Sequence, residues 1–129
     1  TLWSSFVLEW RDYKIYVGGD SGYSKVFREI GEEFGKFDLV FLECGQYNDY
    51  WPEIHMMPEE TVKAAKDLNA DVLIPVHWSK FVLSTHPWNE PVQRAMKEAE
   101  RTGQKIVSPM IGETFTLGEP YEQKEWWNF

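Results

Sequence analysis

Short apolar runs alternate with stretches of helical period along this chain, and the alternation restricts it to an α/β layer. Asp38 to Leu42 and Val72 to Val76 are runs of strand length, of the kind buried within a sheet. Before the first run, Tyr23, Val26, Phe27, Ile30 and Phe34 fall on one stripe of an amphipathic helix, with Gly35 as its stop. Between the runs, Pro58-Glu59-Glu60 opens a second helix, with proline at the first helical position and the acids at the positive end. Val62, Ala65 and Leu68 form its inner face. After the second run, Val92, Ala95, Met96 and Ala99 mark a third helix, stopped by Gly103.

The chain opens differently. From Leu2 to Trp10, Leu2, Ser4, Phe6, Leu8 and Trp10 share one face of a strand. Lys14 to Val17 resumes after the polar break Arg11-Asp12, which predicts a hairpin. Lys105 to Val107 and Thr114 to Leu117 read as short terminal strands. The expected order is therefore ββαβαβαββ, with residues 1–118 as one body and 119–129 as a polar, aromatic tail of no assigned structure.

In such a fold the carboxyl ends of parallel strands share one edge, where ligands bind. Three loops end there: Gly18-Gly19-Asp20-Ser21-Gly22-Tyr23, Gly45-Gln46-Tyr47 running on to Ile54-His55-Met56, and Val76-His77-Trp78. Asp20, His55 and His77 are thus expected to meet. A carboxylate with imidazoles suits a divalent metal, although two or three ligands are few for a closed site. Each residue also has a plainer role open to it. Asp20 reads as a metal ligand, or as an Asx turn or helix cap before Tyr23. His77 reads as a ligand or as a satisfied core histidine. His55, in a long loop of the kind that often carries function, reads as a general acid/base, as a binder of a substrate oxyanion, or as a loop histidine held by backbone bonds. His86 offers the same choice more weakly. Glu43 and Cys44 end a strand beside this edge; Cys44 reads as a ligand, a nucleophile or a small core residue. Tyr47, Tyr50 and Trp51 either line a pocket or hold the loop. Glu29, Glu32 and Glu33 are a solvated helix face.

Composition excludes several classes. At 129 residues with 43% hydrophobic content, the chain can bury a real core in one domain. A net charge of −8 argues against binding nucleic acid through its phosphates. One cysteine permits no internal disulfide, so the chain makes no case for an oxidising compartment. No run of 18 apolar residues is present, so no transmembrane segment is expected. The absence of a glycine-rich phosphate loop and of a CxxC pair argues against a nucleotide-binding or redox domain. The opening Thr-Leu-Trp, with no Met or signal pattern and already in strand alternation, suggests a piece of a longer protein.

Several ordered motifs carry a resemblance: Leu2-Trp3-Ser4-Ser5-Phe6, Gly19-Asp20-Ser21-Gly22-Tyr23, Phe37-Asp38-Leu39, Gly45-Gln46-Tyr47-Asn48, His55-Met56-Met57-Pro58-Glu59-Glu60 and His77-Trp78-Ser79-Lys80-Phe81. Over residues 1–118 the chain resembles the metallo-β-lactamase fold superfamily, in particular the branch of N-acylphosphatidylethanolamine-hydrolysing phospholipase D and its bacterial relatives. The resemblance implies an αββα sandwich of two similar halves with metals between them, this chain being the C-terminal half: a mixed sheet with helices packed on one face. It implies that Asp20 bridges two divalent ions, zinc by the family's habit, that His77 ligates one, and that His55 works beside the substrate; Tyr47 and Trp51 are expected to bind substrate beside it. The His-x-His-x-Asp-His motif and a further ligand histidine belong to the first half and are not in this sequence. Two departures stand out: Glu43 where the phospholipase has a proline, which alters pocket charge, and Ser79 where glycine is usual.

The expected activity is metal-dependent hydrolysis of a phosphodiester or lipid-like ester, with the N-terminal half of the same protein as partner. The alternative is an inactive scaffold or oligomerising domain, whose uncovered sheet face would drive a homodimer.

Overall fold

A computed structural model describes residues 3–128 of the chain. The hairpin forms from β1 (Phe6–Trp10) and β2 (Tyr13–Val17), paired antiparallel across a two-residue turn with Trp10 opposite Tyr13. Next come α1 (Val26–Phe34), β3 (Phe37–Glu43), α2 (Pro58–Asp67), β4 (Ala70–Val76), α3 (Glu90–Thr102) and β5 (Lys105–Ile106). The strands make one mixed sheet in the order β1-β2-β3-β4-β5, parallel from β2 onward. Leu2, expected in the first strand, lies outside the described residues.

The helices pack on one face of the sheet. Tyr16, Val40, Leu42 and Leu73 from the strands join Phe27, Val62, Ala65, Leu68, Ala95 and Ala99 from the helices in a single buried cluster. Burying each valine, leucine and phenylalanine of this set is worth about 1.5–3 kcal/mol, enough to select this face over the alternatives. Glycine sharpens one contact. A Cβ on Gly31 would sit 2.1 Å from the Asp67 carbonyl oxygen, so α1 can approach the end of α2 only because it has none. That approach turns Phe27 and Gly31 inward and leaves Val26 exposed, although the stripe predicted Val26 inside. Tyr23 precedes the helix but still stacks on Phe27 and donates its hydroxyl to Asp67 at 2.5 Å. In α2, Pro58 opens the helix and the Glu60 carboxylate accepts the Met57 N–H at 2.9 Å. Gly103 ends α3 with a left-handed φ of 72°.

The opposite face is covered in part. Leu39, Val72 and Val107 are buried there under Phe115, Leu117 and Tyr121. The expected strand at Thr114 to Leu117 does not form. Phe115 and Leu117 alternate inward as a strand would, but the segment lies across the face of the sheet and makes no ladder with an edge. Nearer β1, the same face carries Phe6, Leu8 and Trp10 at 60%, 50% and 63% exposure. Residues 119–128 contain no helix or strand, yet they end in packing: Trp126 and Trp127 close on Trp78 and Trp88 beside Cys44 and Val92. Among the described residues no helix is long and apolar enough to cross a membrane.

Candidate metal centre

Three parallel strands deliver three loops to one edge. After β2, the Gly18 N–H continues the ladder to the Phe41 carbonyl at 2.9 Å, and the chain then turns through Gly19 to Asp20. A Cβ on Gly19 would lie 2.7 Å from the Ser4 carbonyl oxygen, and one on Gly22 would lie 2.2 Å from that of Pro52. These glycines dock the Asp20 loop against its neighbours. After β3, the Cys44 N–H bonds the Val76 carbonyl at 3.0 Å, and Gly45 passes so close to the next loop that only glycine fits. His77 follows β4 directly, with a left-handed φ of 63°, which is uncommon for a residue with a side chain and turns it out of the strand line. His55 sits in a turn in which the Ile54 N–H donates to the Trp51 carbonyl at 3.0 Å.

The three side chains converge. Asp20 Oδ2 and His77 Nε2 are 3.7 Å apart. The His55 and His77 rings stack, with centroids 5.2 Å apart and planes 21° from parallel. One donor atom from each of Asp20, His55 and His77 lies within 4.8 Å of the others. Metal–ligand bonds of about 2 Å place the donors of one ion some 3–4 Å apart, so the set needs only small rotations to share an ion. Two imidazoles and a carboxylate fit a divalent transition ion, and three protein donors leave a position open for water or substrate. Asp20 and His77 face partly into solvent, while His55 is nearly enclosed.

Burial lowers the His55 pKa below its usual value; the Asp20 carboxylate opposes that shift and His77 adds to it. The ring is therefore neutral near pH 7, the form that binds metal or accepts a proton. Behind it lies Glu43, the last residue of β3, with 1% of its surface exposed. Burial pushes its carboxyl up to about 8; the Met56 and Ser21 amides pull down, and the Asp20 carboxylate pushes further up. The sequence placed Glu43 at this edge but assigned it no partner. Its signal was an acid directly after the apolar run Leu39 to Leu42.

The other candidates lie elsewhere. The Tyr47 hydroxyl is committed to Glu90 at 2.5 Å, its ring stacks on His86 at 4.2 Å, and Arg94 lies 4.9 Å above it. The Trp51 indole N–H bonds the Gln46 carbonyl at 2.8 Å. His86 Nε2 accepts the Gln46 N–H at 2.9 Å, which is a structural role. The Tyr50 ring projects into solvent. Burial raises the Cys44 thiol pKa well above the usual value, which suits a core residue and not a nucleophile. Gln46, given no role from sequence, joins two functional loops: its side chain donates to the Phe81 carbonyl at 2.7 Å and accepts from Leu83 N–H at 2.7 Å.

Comparison with known proteins agrees with this fold. Residues 1–78 match the family model described as the beta-lactamase superfamily domain. An uncharacterized protein of Mycobacterium tuberculosis is 42% identical over 98% of this chain and 35% of its own length. The mitochondrial N-acyl-phosphatidylethanolamine-hydrolyzing phospholipase D of Saccharomyces cerevisiae is 40% identical over 88% of this chain and 26% of its own length. Among solved structures, an isothiocyanate hydrolase from Delia radicum gut bacteria superposes with a TM-score of 0.64 at 25% identity, covering 88% of this chain and 44% of that one. The chain thus spans about a third of the length of the mycobacterial relatives it matches.

Proposed function

The chain belongs to the metallo-β-lactamase superfamily, near the N-acyl-phosphatidylethanolamine-hydrolysing phospholipases D, and from that premise we propose that it is the C-terminal half of a metal-dependent hydrolase acting on a phosphodiester or lipid-like ester. The observation that carries this reading is the meeting of Asp20, His55 and His77 at the carboxyl ends of β2, β3 and β4. Asp20 and His77 would hold the metal, with the remaining ligands supplied by an N-terminal half. The ions, zinc by resemblance to the family, would lower the pKa of bound water and polarise a phosphoryl or carbonyl oxygen.

The residues of this chain then have distinct tasks. The neutral His55 ring lies beside the His77 ring at the cluster, where it would hydrogen-bond a substrate oxygen and exchange a proton with it. Tyr47 and Trp51 stiffen the loop that carries His55, with Tyr47 placing the rim of the cavity formed with Asn48, His86 and Arg94. The N-terminal half covers the sheet face on which Phe6, Leu8 and Trp10 are exposed. That apolar face also supports a second reading, in which the chain by itself is an inactive scaffold that dimerises.

The deciding experiment measures zinc and manganese binding and bis(p-nitrophenyl) phosphate hydrolysis by this chain, alone and mixed with its N-terminal half. Metal and turnover are expected on mixing, and both should be lost in Asp20→Ala and His77→Ala. A folded complex that neither binds metal nor turns over would overturn the hydrolase reading. Light scattering on the chain alone separates dimer from monomer, and a monodisperse monomer would exclude the dimerising scaffold.

A further inference from the structure

Two buried polar atoms at this edge have no hydrogen bond. Oε2 of Glu43 and Nδ1 of His55 are both sealed from solvent, and neither has a partner. A buried polar group left unpaired is costly, and folded proteins keep few of them. These two face each other at 3.5 Å. Closing the gap by a few tenths of an ångström brings them within the usual N–O hydrogen-bond range of about 2.7–3.2 Å. One proton held between them would satisfy both.

The surroundings of Glu43 suit such a task. It ends a central strand, and its carbonyl accepts the Thr61 hydroxyl at 2.8 Å. Its other carboxylate oxygen, Oε1, accepts the Met56 N–H at 2.6 Å. Met56 follows His55 directly, so one side chain on a rigid strand faces both the ring of a loop histidine and the backbone beside it. Functional groups borne on loops gain precision when a rigid element supports them. A carboxylate behind a histidine is also a recurrent way to fix which ring nitrogen works.

We propose that Glu43 is a positioning residue for His55: a proton held between Oε2 and Nδ1 leaves the neutral ring's own proton on Nε2, so that the imidazole is locked with its Nε2–H toward the Asp20–His77 cluster. The value of that lock to catalysis rests on the function proposed above. The lock itself stands on the geometry and is testable without metal.

The test uses the metal-free chain labelled with 15N-histidine, at a pH above the imidazole titration. The chain has three histidines, so its ring signals can be assigned from His→Asn variants. In the wild type, His55 is expected to show one fixed tautomer. In Glu43→Leu its two ring nitrogens should move to the averaged pattern of a free imidazole, with His77 and His86 unmoved. Glu43→Gln, which keeps a hydrogen-bonding group in place, should retain a fixed tautomer. A His55 pattern that is the same in wild type and Glu43→Leu overturns the proposal, as does an averaged pattern in the wild type. Should Glu43→Leu not fold, wild type and Glu43→Gln decide: fixed patterns in both support the lock, and an averaged pattern in either overturns it. A folded complex with its N-terminal half that binds no metal would sink the hydrolase reading and leave the spectrum of His55 to judge the lock separately.

Discussion

Gly45 and His77 approach so closely that a Cβ on the glycine would lie 2.1 Å from the His77 carbonyl oxygen. The contact is between backbones, so no flexible side chain can give way. Gly45→Ala must therefore push the β3 loop away from His77. Overpacking of this kind costs about 1–3 kcal/mol, read as a lower urea midpoint. If the metal site is placed by this contact, metal affinity should fall with it. An unchanged midpoint together with unchanged affinity would show that the two loops are less tightly coupled than the contact implies.

Stability should fall as pH rises from about 6.5 to 8. In that window the folded state keeps a proton on Glu43, whose carboxyl titrates near 8, while the unfolded state has lost it at the ordinary value of 4.5. Raising pH therefore favours the unfolded state, by about 2 kcal/mol across the window. Below 6.5 the effect is opposed, because the folded state resists protonating His55. Chemical denaturation across this range should show the decline in wild type and lose most of it in Glu43→Gln. A flat wild-type profile would contradict the prediction.

Ser79→Gly should stabilise the chain. Ser79 has a φ of 71°, a region that costs a residue with a Cβ about 1–2 kcal/mol. Glycine relieves that cost but makes the unfolded chain more flexible, which returns about 0.4–1 kcal/mol. The net gain is expected to be about 0.5–1 kcal/mol, seen as a higher melting temperature. Gln46 and His77 share a left-handed φ, but glycine there would remove a side chain the site uses, so the same change at either should cost function.

Trp127→Ala should destabilise by about 3–5 kcal/mol, the usual cost of emptying a large buried aromatic site. Trp127 is 3% exposed, meets Trp78 edge-on at 5.9 Å, and its carbonyl accepts the Asn89 side-chain amide at 3.2 Å. Deleting residues 119–129 should cost at least as much, because Trp126 stacks on Trp78 at 5.1 Å. Far-UV circular dichroism during urea unfolding reads both. A truncated chain as stable as the whole would make the tail a passenger.

Periodicity and capping are local, and local features were readable. The hairpin, the three helices with their proline start and glycine stops, and the buried runs of β3 and β4 all follow from residues a few positions apart. The meeting of Asp20, His55 and His77 was also readable, because parallel strands end at a common edge whatever their side chains do. Contacts across the fold were not. Phe6, Leu8 and Trp10 alternate as a buried face would, yet Val7 turns to the core and they stand in solvent, because a period of two specifies a strand without saying which face is covered. Thr114 to Leu117 has the pattern of a strand but lies over the sheet, because pairing needs a free edge at the right height and not only alternation. Glu43 shows the same limit at the site. Its acid is plain in the sequence, but burial and the position of His55 Nδ1 decide what it does, and both depend on how the loop folds back over the end of β3.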